Sequence, residues 1–375
     1  RRPFGITTPL GPDTARAIYD RANARLAEGD FTALGLLRQF RVAVVCTTDD
    51  PTDTLAAHAA LAARADPETR VVPTFRPDRA LAVGDLPAWT AWLGRLEAAA
   101  GASVGTWDEL LAALERRHAC FHAHGCRASD HGLEQACAAP FTDAEAAALF
   151  ARLRAGRALA PGEAAVFRAA LLHRLALLDH ARGWVQQLHL GALRDVRARG
   201  RRRLGPDSGF DVVGDLPQAG PLAAFLDRLD ATDQLAKTII YNLNPADNEV
   251  FAALCGAFQD GRVPGKMQWG PAWWFLDQLD GMEAQLRALA NLGLLARFVG
   301  MSTDSRSFLS YSRHEYFRRL LCNLLGEEVR RGRLPDDRAA LGDLVWRLGF
   351  GNARDYFGLA LGRAADPPEP GIEKV

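Results

Sequence analysis

The sequence predicts an α/β fold, a (β/α)8 TIM barrel, from three observations. Short β-type runs alternate with longer amphipathic helical stretches, which implies parallel strands joined by helical crossovers. No glycine-rich phosphate fingerprint follows any of the strands, which counts against an open dinucleotide-binding sheet. Polar residues gather just past the C-terminal ends of the strands, where barrels build their sites.

Leading helices are expected at 13–27 and 33–39, then a strand at 41–47 (RVAVVCT) that ends in Thr47, Thr48, Asp49 and Asp50. A helix at 54–66 leads to a strand at 70–76 (RVVPTFR). Pro73 objects to that strand, because proline removes a ladder donor, so a bulge or a short strand is expected. Arg76 precedes Pro77, which favours an extended backbone at the strand's last position. A helix at 106–122 precedes a strand at 125–129 (GCRAS) ending in Asp130 and His131. Helices at 141–154 and 163–181 lead to a strand at 184–189 (WVQQLH), in which Val185, Gln187 and His189 share a face. A strand at 237–242 (KTIIYN) ends in Asn242 and Asn244, and a helix follows at 246–259. A strand at 265–269 (GKMQW) is followed by Trp273 and Trp274 and by a helix at 279–292. The last strand is expected at 296–301 (ARFVGM), with Asp304 and Arg306 beyond it and helices at 313–332 and 336–349. Capping boxes are read at Thr106 with Glu109, Thr142 with Glu145, and Ser312 with Glu315. The count is seven strands where a closed barrel has eight, so the missing strand is expected first, before Arg1. The first methionine is Met267, which reads as the interior of a longer protein. Residues 1–358 are expected to form a single N-terminally truncated barrel domain holding strands 2–8, with 359–375 a C-terminal tail.

The composition is that of a soluble globular chain, 48% hydrophobic with zero formal net charge. No global field draws it to nucleic acid or a membrane, and neither partner is expected. Lysine occurs only at 237, 266 and 374, so the basic residues are almost all arginine. Six cysteines form no CxxC and sit in apolar or helical surroundings, which reads as buried thiols in a reducing compartment. With no membrane-length apolar run and no signal peptide, a cytoplasmic location is expected. The oligomeric state is left open, a homo-oligomer included.

Asp304 with Arg306 is the sharpest candidate site. A surface turn with a local ion pair would explain a lone DxR. Its place after an apolar strand, among six other polar strand ends, makes a metal ligand or general base beside a polarising cation an equal reading. His189 shares a face with Gln187 and precedes Arg194, which favours function over a satisfied core histidine. The segment RRHACFHAHGC offers zinc-like spacings in His118, Cys120, His122, His124 and Cys126. It closes a helix at the opposite end of the barrel, and reads as cations against a helix dipole. Trp273 and Trp274 serve equally well as packing or as the wall of a sugar-binding pocket. The stretch RDVRARGRRR at 194–203 reads as a solvated or lid-forming loop.

Taken together, VVCTTDDPTDTLAAH, PTFRPD, HGCRASDHGLE, WVQQLHLGALR, YNLNPADNEV, GPAWWFLDQLDGME and FVGMSTDSRSFLSYSRHEYFRR resemble uronate (glucuronate) isomerase, a family of the amidohydrolase superfamily. The similarity runs from about residue 2 to about 358. It implies a (β/α)8 barrel of amidohydrolase type, acting on a hexuronate sugar. D-glucuronate and D-fructuronate would be interconverted, as would D-galacturonate and D-tagaturonate, by moving a proton from C2 to C1 through a cis-enediol. It also implies a divalent metal, usually zinc, and no organic cofactor. Asp304 matches the metal-binding aspartate and base, Arg306 its catalytic neighbour, His189 the strand-five histidine and Asp130 the aspartate after strand four. Arg76, Arg194, Trp273 and, beside it, Trp274 match substrate-binding positions. The family's two histidine metal ligands and a catalytic tyrosine would all precede Arg1, so residues 1–375 alone are expected to be inactive. Two other readings stay open: a metal-dependent hydrolase on the same scaffold, which Asn242 at the end of its strand disfavours, and a catalytically silent barrel fragment.

Overall fold

The structure, a computed structural model, describes residues 2–64, 68–359 and 361, so the tail expected at 359–375 lies almost wholly outside the described residues. Its strands are β1 (Val44–Cys46), β2 (Arg70–Val72), β3 (His131–Leu133), β4 (Val185–Leu190), β5 (Ala192–Leu193), β6 (Val212–Val213), β7 (Lys237–Asn242) and β8 (Met267–Trp269). β1 pairs with β2, and β3, β4, β7 and β8 follow one another, all in parallel. Single bridges Asp49–Phe75, Phe75–Ser129 and Ala128–Val185 join the two groups into one parallel arc of six strands. β5 and β6 form a short antiparallel hairpin beside it.

Parallel strands are covered on both faces, which is why β7 is buried from Thr238 to Asn242 regardless of polarity. Helices cover the arc, and the longest, Pro161–Ala181, buries Phe167, Leu171, Leu172 and Leu175. Each such side chain contributes about 1.5–3 kcal/mol by leaving water. The expected helices form with ends shifted by a few residues, and the capping boxes at Thr106 and Thr142 are made. Leu86–Ala100 and Ala219–Asp230 were not among the stretches read, nor were the shorter helices Asp78–Leu81, Asn352–Phe357 and Ala198–Leu204, the last of which forms where a loop was expected at 194–203. The first carries its own signals: Asp85 accepts from the Ala88 N–H, and Gly101 ends it in a left-handed conformation.

Pro73 ends β2 but not the pairing. Thr74 and Arg76 donate to the carbonyls of Thr47 and Asp49, and Phe75 donates the other way to Ala128. The missing proline donor therefore falls on the side facing 125–130. The strand read at 125–129 makes only the bridges at Ala128 and Ser129, and the ladder proper begins at His131.

Three expectations are corrected. Residues 296–301 form no strand: Leu295–Arg297 is a 3-10 turn, and Gly300 follows at φ +80°, pressed against the Leu348 carbonyl. The run is apolar because Phe298 and Val299 are buried, and burial without pairing mimics a strand in sequence. Ser312 does not cap its helix; its hydroxyl donates back to the Leu309 carbonyl. Cys126 and Cys255 are buried free thiols, but Cys46 and Cys322 are exposed. No helix among the described residues is long and apolar enough to cross a membrane.

Candidate active site

β3, β4, β7 and β8 are in a register that places Gly132, His189, Tyr241 and Gly270 in one row across the C-terminal end of the arc. The first three are paired residues, and Gly270 follows Trp269, the partner of Ile240. Side chains in such a row share a face, so His189 and Tyr241 meet ring to ring, with centroids 4.1 Å apart and planes 5° from parallel.

His189 joins its Nδ1 to Asp130 Oδ1 at 2.7 Å. Arg76 donates from one guanidinium nitrogen to Asp130 Oδ2 at 2.9 Å and from Nε to Asp78 Oδ2 at 2.8 Å. The Gly132 N–H also donates to Asp78 Oδ2, at 3.0 Å. Burial works against the charge on Asp130, but His189 and Arg76 overcome it and hold the carboxyl well below its usual range. For Asp78 too, burial is outweighed, here by His131 and Arg76. Burial likewise opposes the Arg76 cation, and Asp130 and Asp78 more than restore it. His131 is fully buried, 3.6 Å from Asp78, and among the described residues neither of its ring nitrogens has a hydrogen-bond partner.

Asp304 reaches this group through Trp273, whose indole N–H donates to Asp304 Oδ2 at 2.6 Å. The Trp273 ring meets His189 edge-on, with centroids 4.7 Å apart. Asp304 holds a left-handed backbone, φ +36°, which aspartate tolerates better than most residues. Arg313 fixes the loop from behind by donating to the Thr303 carbonyl and pairing with Asp277.

Five of the residues singled out in the sequence, Asp304, Trp273, His189, Asp130 and Arg76, are therefore connected. Three are not in the cluster. The Arg306 side chain is 93% exposed and makes no pair with Asp304; its nearest carboxylate is Asp207, 4.0 Å away. The two side chains diverge, Asp304 toward the Trp273 indole and Arg306 toward solvent. Arg194 pairs with Asp211 and lies over Trp274 at 5.1 Å, and Trp274 is 40% exposed, so this pair stands at the rim.

The sequence reading missed Asp78, Tyr241 and the two glycines, and placed Gln187 on the face of His189 without a partner for it. Tyr241 had a usable signal, since it shares a face with Ile239 and Lys237 one residue before the polar end of its strand. The histidine-rich segment is engaged elsewhere: His118 with Asp179 at 3.0 Å, His122 with the Trp184 indole at 2.9 Å, His124 with the Cys120 carbonyl at 2.8 Å. His122 accepts a hydrogen bond, and burial with nearby arginines lowers its basicity. It is therefore a neutral acceptor, which corrects the expectation of a cation on the helix dipole.

Among the described residues no group of three or more His, Cys, Asp or Glu side chains could hold a metal ion. Asp304 offers one carboxylate, with Oδ2 already accepting from Trp273. These residues by themselves do not fit a protein-held divalent ion.

A family profile described as glucuronate isomerase matches residues 1–357. A uronate isomerase of Cellvibrio japonicus is 51% identical over 358 residues, which cover 95% of this chain and 76% of the relative. The solved uronate isomerase of Thermotoga maritima is 34% identical, with a TM-score of 0.87 over 95% of this chain and 76% of its own. That of glucuronate isomerase from Caulobacter crescentus is 28% identical, with a TM-score of 0.85 over 97% and 74%.

Proposed function

The chain belongs to the glucuronate isomerase family, and from that premise we infer that it is an aldose–ketose isomerase of hexuronates. It interconverts D-glucuronate with D-fructuronate, and D-galacturonate with D-tagaturonate. The six-stranded arc is read as the greater part of a (β/α)8 barrel of amidohydrolase type, with residues 1–358 as one domain. That reading is supported by the likeness to the Thermotoga maritima enzyme.

The observation that carries the chemistry is the 2.7 Å contact between His189 Nδ1 and the ionised Asp130. An aldose becomes a ketose when a proton leaves C2, a proton arrives at C1, and another passes between O2 and O1. Imidazole is the side chain suited to both giving and taking a proton near neutrality. With Asp130 accepting from Nδ1–H, the tautomer assigned by that bond leaves Nε2 as the base. Once Nε2 has taken a proton, the Asp130 carboxylate stabilises the imidazolium until the proton is returned.

Asp304, held by Trp273, accepts from a sugar hydroxyl as the ring opens. Arg76, Arg194, Trp273 and Trp274 line the path of the sugar, while Arg306, expected to stabilise the enediolate charge, faces solvent and Asp207 in this structure and is given no step. The described residues provide a single carboxylate toward the divalent metal that the resemblance implies, and no step here passes through a metal.

The test is to give the protein D-glucuronate in deuterated buffer and follow the C1 and C2 signals by NMR. Ketose should form with the full-length protein, residues 1–375 alone being expected inactive, and His189→Asn in that protein should slow it by about 10²–10⁴-fold, the usual contribution of a general acid–base group. Absence of ketose, or undiminished turnover in His189→Asn, overturns the reading.

A further inference from the structure

We propose that Tyr241 is a positioning residue for His189, its ring forming a wall that fixes the imidazole plane, and that Gly270 exists to make room for that ring. The inference rests on the role given to His189 above. Both flanks of the two-ring row are glycine. At Gly270 a Cβ would collide with the Tyr241 ring carbons and approach Ile239 to 2.8 Å. At Gly132, the neighbour of His189 on the other side of the row, it would collide with the Arg76 guanidinium. The sheet thus gives its row two large rings and no other side chain, and neither ring has a neighbour in the row to lean on except the other.

Tyr241 is held from its far end as well. Its hydroxyl donates to Gln187 Oε1 at 2.7 Å, and Gln187 Nε2 donates to the Ser129 carbonyl at 3.3 Å. Ser129 is anchored in turn, its hydroxyl donating to the buried Asp179 at 2.6 Å, and it immediately precedes Asp130. The wall behind the imidazole and the carboxylate that orients it are therefore tied to one frame. The same tie argues against Tyr241 carrying a proton itself. Burial, with the charges of Asp130 and Asp304, pushes its phenol well above the usual range, so it stays a donor to Gln187.

Three effects are expected, relative to the His189→Asn loss. Tyr241→Leu lowers kcat by about 10–100-fold while KM moves by less than about threefold, as misplacement of a catalytic group does. Tyr241→Phe keeps the ring and recovers most of that loss. Gly270→Ala lowers kcat by pressing the ring onto His189, and in the Tyr241→Leu background the same change adds little, since the two act through one contact. Wild-type kcat in Tyr241→Leu or in Gly270→Ala overturns the proposal, as does Tyr241→Phe performing no better than Tyr241→Leu. If Tyr241→Leu does not fold, the Phe and Gly270→Ala variants decide by themselves: the proposal requires near-normal kcat in the first and a loss in the second. Turnover surviving in His189→Asn instead overturns the role of His189, a result distinguishable from failure of the Tyr241 wall alone.

Discussion

Arg76 lies over Gly132: its guanidinium fills the space that any Cβ at residue 132 would need. From there it bridges Asp78 and Asp130. Gly132→Ala forces the guanidinium out of a site nothing else can fill. Overpacking of this kind costs about 1–3 kcal/mol, and turnover should fall with the displaced Asp130 partner. Urea unfolding and the uronate assay check both, and a variant unchanged in both would show that Arg76 has an alternative seat.

Asp130 sets a pH dependence whose sign is fixed. Its carboxyl is depressed in the folded protein, so on acidification the unfolded chain takes up the proton first. Its stabilisation is complete above the unfolded value of about 4 and is lost as pH falls from there toward the lower folded value. Asp130→Asn should therefore be less stable than the wild type at neutral pH, with the gap narrowing below about pH 4. Thermal melts of both proteins across the acid range test it; a gap that widens on acidification would contradict the assignment.

Asp304 and Trp273 separate chemistry from positioning. Asp304→Asn should abolish isomerisation. Trp273→Phe keeps the ring edge against His189 but removes the indole donor, so turnover should fall partway and amide exchange in the 301–307 loop should rise. Normal turnover in Asp304→Asn would remove that residue from the mechanism.

Asp179 is expected to matter for stability first. It is 1% exposed and accepts from both Ser129 and His118. Asp179→Ala strands two buried polar groups, for an expected loss of about 3–5 kcal/mol. A change under about 1 kcal/mol in denaturant unfolding would mean the site relaxes or admits water.

Much of the site was legible because parallel α/β architecture puts chemistry at strand ends, and a strand end is a local pattern. Asp130, His189 and Arg76 could be found that way. Tyr241 had only a face to mark it, since its role comes from register: which residue of β7 lies beside His189 is decided by pairing across more than fifty residues. The two glycines were silent for the same reason. The apolar stretch before Asp304 misled because Phe298 and Val299 are buried without a ladder partner, and sequence records burial, not pairing. Arg306 was read beside Asp304 from its spacing, but Asp304 turns to Trp273 and Arg306 to solvent, and spacing alone does not record which way a loop side chain faces.

The arrangement around Arg76 also governs how a substrate can lie. Asp78, Asp130 and Asp304 set three carboxylates against the single guanidinium of Arg76. Carboxylates therefore outnumber the guanidinium on the floor of the mouth, and a hexuronate is an anion too. On the function proposed above, its carboxylate would be repelled from the floor and drawn to the rim, where Arg194 stands over Trp274. The uncharged aldehyde end would then be the end that descends to the imidazole. Substrate polarity would be set by repulsion below as much as by attraction above.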